Sequence, residues 1–235
     1  MRLLLWLLLA LPWGGLGAAT VNAEDHHAFW LWAGVRPQPV LAQAHTLYLL
    51  QGQIDPAGRD GRGLLRAQGP AAGPLQAELW LVYRAHTLDW PDSLVPQLLA
   101  RVERWRRHGT RVRGIQIDFD AGTLHLARYA SFLEALRQRL PADCGLSITG
   151  LLDWGSNGDP QVLNRLADSL DEVVVQTYQG RHSIGDRQRY LPGIARLRLP
   201  FRIGLVQHGD WQAPAGLEQN PWFRGYVVFL LNPRR

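Results

Sequence analysis

Lysine is absent from this chain of 235 residues, and cysteine occurs only once. All 25 basic side chains are therefore arginine, and they are scattered along the chain, so the net charge of +5 does not indicate a nucleic-acid surface. The single cysteine, Cys144, excludes an internal disulfide. It lies in a predicted helix-to-strand loop with no base nearby, and we interpret it as a packing residue.

Common motifs for metal and nucleotide binding are also missing. The eight histidines include no His-x-x-x-His or His-Glu-x-x-His spacing, which argues against a zinc site, although a metal-dependent hydrolase stays as a third alternative. No Gly-x-Gly-x-x-Gly turn follows a first strand, and this disfavours a dinucleotide-binding sheet. We therefore predict no cofactor and no bound metal.

A long apolar run is found only at the start of the chain, and it is short for a membrane span. The run from Leu3 to Leu11 follows one positive charge and leads into small residues, with cleavage sites after Ala19 or Ala23. This layout is typical of a secretory signal peptide, because a bilayer requires ~20 apolar residues. We predict a signal peptide over 1–23, a periplasmic or secreted domain over 24–235, and no membrane span after signal removal.

Eight segments have the alternation or the apolar run of a β-strand, and most are separated by helical patterns. The predicted strands are 28–34, 45–53, 77–85, 114–120, 146–152, 172–178, 201–207 and 224–232. The predicted helices are 36–44 (about two turns), 93–109, 123–140, 159–170 and 186–197. A stretch rich in Gly, Pro and Ala over 56–74 replaces one helix by a loop or a hairpin.

This order predicts an α/β fold, a small (β/α)8 TIM barrel that uses the chain from residue 24 to its end. An open doubly wound sheet is the alternative architecture. In a barrel, the carboxyl ends of all eight strands meet at one mouth, and enzymes with this fold place their chemistry there.

The segment 114–120 places Gln116, Asp118 and Asp120 on one side of a strand and apolar residues on the other. The two carboxylates then lie inside the barrel, ~6.6 Å apart along the backbone. Such a pair does not flank a scissile bond from two sides, so a third group from the substrate or another strand is needed. We predict that at least one of the two is catalytic; the structural alternative is that Asp118 bonds a Ser or Thr inside the barrel.

Other strand ends add amides, aromatic rings and charged groups, which are the residue types that hold sugars. The predicted substrate-binding residues are Tyr83, Arg84, Gln116, Asp153, Trp154, Gln176, Tyr178, Gln207 and Trp211.

Two resemblances support a sugar site. The segment Gly114-Ile-Gln-Ile-Asp-Phe-Asp120 resembles the fourth-strand signature of chitinase-like (family 18) glycoside hydrolases. This resemblance implies that Asp118 is the acid-assisting residue, that Asp120 replaces the catalytic Glu, and that Gln116 replaces the leading Asp. Tyr178 is similar to a tyrosine that contacts the substrate carbonyl in that family. The segments 78–84, 118–120, 146–154 and 171–178 together resemble an exported bacterial family of unknown function that has a glycosidase-like barrel.

We therefore expect an exported, glycoside-hydrolase-like protein that acts on a poly- or oligosaccharide. Asp120 is the expected general acid and Asp118 its partner. The alternative is a catalytically inactive barrel that binds envelope carbohydrate or a partner protein.

Overall fold

Eight parallel strands close into a barrel in the computed structural model, which describes residues 18–58 and 61–233. The strands are β1 Ala28–Leu31, β2 Thr46–Ala57, β3 Glu78–Ala85, β4 Val112–Asp118, β5 Gly145–Leu151, β6 Glu172–Gln176, β7 Phe201–Val206 and β8 Phe223–Phe229. Each strand pairs with the next one along the chain, and β8 pairs with β1 to complete the ring. The predicted TIM barrel is confirmed, and the open doubly wound alternative is wrong because the ring closes.

The helical layer is thinner than that of a complete (β/α)8 barrel. The α-helices are α1 Leu94–Arg107, α2 Leu126–Arg139, α3 Trp154–Asn157, α4 Pro160–Ser169 and α5 Leu191–Ile194. Single turns of 3-10 helix occupy Ala23–Asp25, Pro39–Gln43, Thr123–His125 and Arg187–Arg189. The predicted helix 186–197 is interrupted because Pro192 lacks a backbone N–H and starts a new helix instead of continuing the first.

A hairpin replaces the helix that would follow β2. The strand Arg62–Ala67 runs antiparallel to β2, with Ile54 opposite Leu65. This outcome resolves the choice between a loop and a hairpin for the stretch rich in Gly, Pro and Ala.

Alternation along the strands divides the apolar residues between the inside of the barrel and the layer beneath the helices. Trp30, Tyr48, Trp80, Val82 and Val174 fill the interior. A second, larger core lies between the outer face of the strands and the helices. Because side chains alternate along a strand, every second residue faces the barrel interior and the residues between them face the helices.

The amino-terminal half of the interior also holds buried polar groups. Glu172 accepts hydrogen bonds from the Tyr48 hydroxyl and from Arg202 Nε, the latter at 3.1 Å. Gln116 Oε1 accepts from Trp30 Nε1 at 2.7 Å, and Gln116 Nε2 donates to Ser147 Oγ at 2.9 Å. These contacts satisfy polar atoms that burial would otherwise leave without partners, and they close the barrel below its mouth.

The start of the described chain is part of the fold. The short strand Ala19–Thr20 pairs antiparallel with Asp210–Trp211, and Val21 and Ala23 are buried. The predicted signal peptide lies outside the described residues except for its last six positions. Within the described residues, no helix is long and apolar enough to cross a membrane.

Candidate functional site

The end of β4 places one carboxylate inside the barrel and the next at its mouth. Asp118 is 1% exposed, whereas the side chain of Asp120, two residues later and beyond the end of the strand, is 52% exposed. Thr149 of β5 donates its hydroxyl to Asp118 Oδ1 at 2.8 Å. Asp118 therefore makes the hydrogen bond to a Ser or Thr inside the barrel that the structural alternative predicted.

Arg84 of β3 joins the two carboxylates, because the register of the sheet sets it opposite Asp118. Its Nη1 donates to Asp118 Oδ2 at 2.9 Å, and its Nη2 donates to Asp120 Oδ2 at 2.5 Å. Burial lowers the pKa of Arg84, but the charges of its two partners raise it by more, so the guanidinium stays charged. The bridge fixes the spacing of the carboxylates.

Burial raises the pKa of Asp118 above its ordinary value. The charge and hydrogen bond of Arg84, and the hydrogen bond from Thr149, lower this pKa and offset only part of the effect of burial. Holding Asp118 ionised therefore requires these two partners. A carboxylate kept in such a setting is typical of functional sites.

The two aspartates open into a cleft with a volume of about 560 Å³ at the carboxyl ends of the strands. The structure brings five of the predicted site residues together in this cleft, namely Arg84, Asp118, Asp120, Gln176 and Tyr178.

One wall of the cleft is aromatic. The ring of Phe229 lies 5.9 Å from that of Trp32 and 5.4 Å from that of Tyr178. Trp32, Phe229, Leu231 and Arg181 line the cleft and were not among the predicted residues. The alternation of Val227, Phe229 and Leu231 in the last strand is the signal that could have identified two of them.

The placement predicted for Tyr83 in the cleft is wrong. Tyr83 adjoins Arg84 in β3, so it points to the opposite face and is fully buried in the outer core. Its hydroxyl has no hydrogen-bond partner among the described residues, and burial raises its pKa. Tyr83 is therefore a packing residue of the helical layer.

The substrate-binding role predicted for Gln116 is also wrong. It faces the interior as predicted, but it is fully buried beneath the cleft, with its amide held by Trp30 and Ser147. It cannot contact a ligand in the cleft.

Asp153 and Trp154, which follow β5 after Leu152, lie outside the cleft as well. The chain enters α3 after a turn of two residues, so Trp154 turns into the outer core, where its indole N–H donates to the Ala121 carbonyl at 2.8 Å. Asp153 is the residue before this helix and does not line the cleft. Trp154 supports the loop after β4 instead of binding a ligand.

Gln207 and Trp211 belong to a neighbouring region. Gln207 is 6% exposed, with its amide bonded to Gln38 and to the backbone N–H of Leu231. Trp211 sits in the short strand paired with Ala19–Thr20 and packs edge-on against Tyr226. Neither lines the cleft that contains the aspartates.

Two further cavities adjoin the cleft. A polar chamber of about 590 Å³ shares Arg181 and Leu231 with it. A smaller cavity of about 240 Å³ shares Asp120 with it and is lined also by His86, His125 and Arg128. We call these three adjoining cavities the groove; Asp120 lines both the smaller cavity and the cleft, and Arg181 lines both the cleft and the chamber.

Within the described part of the chain, no three His, Cys, Asp or Glu side chains come together in a way that could hold a metal ion.

Comparison with known proteins supports the resemblances found in the sequence. Residues 86–197 match the model of a family described as "Domain of unknown function (DUF3142)". The chain matches no sequence among the curated proteins.

Solved structures share the fold. The spore cortex-lytic enzyme SleL of Bacillus cereus matches with a TM-score of 0.50 and 17% identity, over 76% of this chain and 50% of that enzyme, so this chain spans half its length. The xylanase and α-amylase inhibitor protein XAIP-II from Scadoxus multiflorus matches with a TM-score of 0.52 and 13% identity, over 86% and 92% of the two chains. A class V chitinase from Nicotiana tobaccum gives 0.48 and 10%, over 80% and 67%. At these identities the likeness to SleL and to XAIP-II extends to the fold alone.

Proposed function

We propose that this chain binds a poly- or oligosaccharide along the groove and hydrolyses a glycosidic bond, with Asp120 as general acid and Asp118 as its partner. One observation carries the proposal: the half-exposed Asp120 stands where the cleft and the smaller cavity meet, beside a buried carboxylate. A proton donor to a glycosidic oxygen needs room for sugar on both of its sides.

In this reaction, protonated Asp120 donates its proton to the glycosidic oxygen while the bond from that oxygen to the anomeric carbon breaks. Water then adds its hydroxide to the anomeric carbon and returns its other proton to Asp120. Arg84 occupies Oδ2 of Asp120, so Oδ1 is the oxygen available for proton transfer. In this proposal, ionised Asp118 stabilises the positive charge that develops on the sugar ring.

Asp118 itself is a poor nucleophile in this arrangement. Both of its oxygens accept hydrogen bonds, one from Thr149 and one from Arg84, and its side chain is 2% exposed. The third group that the reaction requires would therefore come from the substrate or from water.

The rest of the cleft suits sugar recognition. The wall formed by Trp32, Tyr178 and Phe229, whose rings are tilted against one another, offers apolar ring faces on which a pyranose ring can pack. Gln176 provides an amide that can both donate to and accept from hydroxyl groups.

A binding protein without catalysis is the second candidate, and Arg84 favours it. A proton on Asp120 Oδ1 would make Oδ2 a weaker acceptor for the 2.5 Å hydrogen bond from Arg84 Nη2, so general-acid catalysis weakens this contact whereas binding alone keeps it. The fold is shared by the enzyme SleL and by XAIP-II, which is described as an inhibitor, so the fold is compatible with either candidate.

A hydrolysis screen over a panel of polysaccharides, with release of reducing ends as the readout, tests the proposal. Asp120→Asn is the informative variant, and Asp143→Asn is the matched control. Asp143 is also an exposed carboxylate that accepts from an arginine, Arg106 Nη1 at 2.8 Å, but it precedes β5 at the other end of the barrel.

Hydrolysis that Asp120→Asn abolishes and Asp143→Asn retains would support the enzyme. Glycan binding with no hydrolysis by the native chain on any polysaccharide would reject it in favour of the binding protein. Absence of both binding and hydrolysis would reject both candidates.

A further inference from the structure

Arg181 lies at the tip of a tight hairpin at the junction of the cleft and the polar chamber. The hairpin pairs Tyr178–Gln179 with His182–Ser183, and Gly180 at the first turn position has a φ of 59°, which a two-residue turn of this kind requires. The turn fixes the position of Arg181 along the groove.

The hairpin is attached to the loop after β7. Ser183 Oγ donates to the Asp210 carbonyl at 2.9 Å and accepts from the Asp210 N–H at 3.0 Å. The Asp210 carboxylate is paired with Arg187, so this acid of the chamber is already neutralised. The wall that carries Arg181 is therefore held in place by several contacts.

Arg181 differs from the other arginine of the cleft in its partners. Arg84 is neutralised by two carboxylates, whereas Arg181 makes no ion pair with a carboxylate among the described residues. Its Nη2 donates to the Asn232 carbonyl at 3.0 Å, and Asn232 is itself fixed by a bond from its Nδ2 to the Gly34 carbonyl. This single contact leaves the remaining N–H groups of a guanidinium, which carries five, for a ligand.

We infer that the glycan bound in this groove carries anionic groups, and that Arg181 binds one of them at the junction of the cleft and the chamber. The inference rests on the proposed function and names the substrate class. A carboxylate, sulfate or phosphate would each fit, since an arginine fork binds these oxyanions through paired, charge-assisted hydrogen bonds.

The test measures binding of the intact chain to pairs of glycans that differ only in charge. One pair is an oligogalacturonate and its carboxyl-reduced neutral form; the others are sulfated and phosphorylated dextran oligosaccharides, each compared with plain dextran oligosaccharide. Arg181→Gln is the informative variant. Arg224→Gln is the matched control, because Arg224 likewise donates only to backbone carbonyls but sits at the amino end of β8.

We expect at least one anionic glycan to bind about tenfold or more tightly than its neutral counterpart, as one charge-assisted hydrogen bond provides. Arg181→Gln should remove this preference and leave the neutral glycan unaffected, and Arg224→Gln should change neither. The preference should also weaken as salt increases.

Equal binding of charged and neutral glycans, unchanged by Arg181→Gln, would overturn the inference and leave the proposed function standing. A charge preference that survives Arg181→Gln would overturn the assignment to Arg181. If no glycan of either kind binds, the proposed function fails and the inference fails with it.

Discussion

Replacing Thr149 with valine removes one hydroxyl from the interior of the barrel with almost no change in shape. Thr149 and Asp118 are 2% and 1% exposed, and the lost bond is 2.8 Å long. Valine cannot donate a hydrogen bond, so buried Asp118 Oδ1 would be left without this partner. The cost of an unsatisfied buried group of this kind is about 1–3 kcal/mol. For a chain of this size each kcal/mol corresponds to about 2–4 °C in Tm.

The cost should depend on pH because the bond is to a titratable group. The Thr149 hydroxyl lowers the pKa of Asp118, so its loss raises further a pKa that burial already raises. A carboxyl with a raised pKa in the folded state binds its proton more tightly there than in the unfolded chain. The stability of the fold therefore falls as pH rises from the ordinary pKa of an aspartate, which holds in the unfolded chain, to the raised pKa of Asp118 in the folded state. The penalty of Thr149→Val should thus be full at neutral pH and smaller in acid.

Thermal unfolding of the native chain and of Thr149→Val, measured at several values between about pH 4 and pH 7, checks this expectation. Thr177→Val is the control. Thr177 Oγ1 also makes a buried 2.8 Å bond, but its acceptor, the Gly204 carbonyl, keeps a second bond from the Thr177 N–H at 3.0 Å. The control should cost only about 0.5–1.5 kcal/mol at every pH. Equal penalties for the two variants, with no dependence on pH, would show that the Thr149 hydroxyl does not stabilise the ionised form of Asp118.

Three further outcomes are expected. Asp118→Asn should not lower Tm at pH 7, because burial raises the pKa of Asp118 and makes its ionised form costly to the fold. Hydrolysis of any substrate should nevertheless fall. A clear drop in Tm would contradict the expectation for stability. Tyr83→Phe should keep glycan binding and stability, since the buried hydroxyl has no partner among the described residues, and weaker binding would show that the outward placement is wrong. A chain that starts at Glu24 should lose about 1.5–3 kcal/mol through Val21 alone, with a further loss from Ala23, relative to one that starts at residue 18. If a signal peptide is removed as the sequence predicts, amino-terminal sequencing should therefore find cleavage after Ala19 and not after Ala23, and a stable product that starts at Glu24 would count against this expectation.

The alternation rule placed the central strand correctly and would have placed its neighbour too. Positions 114–120 alternate strictly, which puts Asp118 and Asp120 on the same, inward side of the strand. The strand ends at Asp118, so Asp120 lies at the mouth and not inside the barrel as predicted. By the same rule, Tyr83 and Arg84 are consecutive in β3 and point to opposite faces, so only one of them can reach the cleft.

Other features depend on contacts between strands and could not be read from one segment. The bridge from Arg84 to both carboxylates requires the register of β3 against β4, which the spacing of two strands in the sequence does not define. Likewise, Trp154 lies three residues beyond β5, and whether it enters the cleft or the outer core depends on how soon the chain turns into α3. Arg181 lies on a hairpin that only the folded chain brings to the groove.

A crystal structure of Asp120→Asn with an oligosaccharide from the panel would show whether the cleft holds the sugar. We expect sugar rings in the cleft of about 560 Å³, with one ring against the wall formed by Trp32, Tyr178 and Phe229 and a glycosidic oxygen within hydrogen-bond distance of the side chain at position 120. Sugar bound at another face of the barrel, with this cleft empty at saturating oligosaccharide, would contradict it.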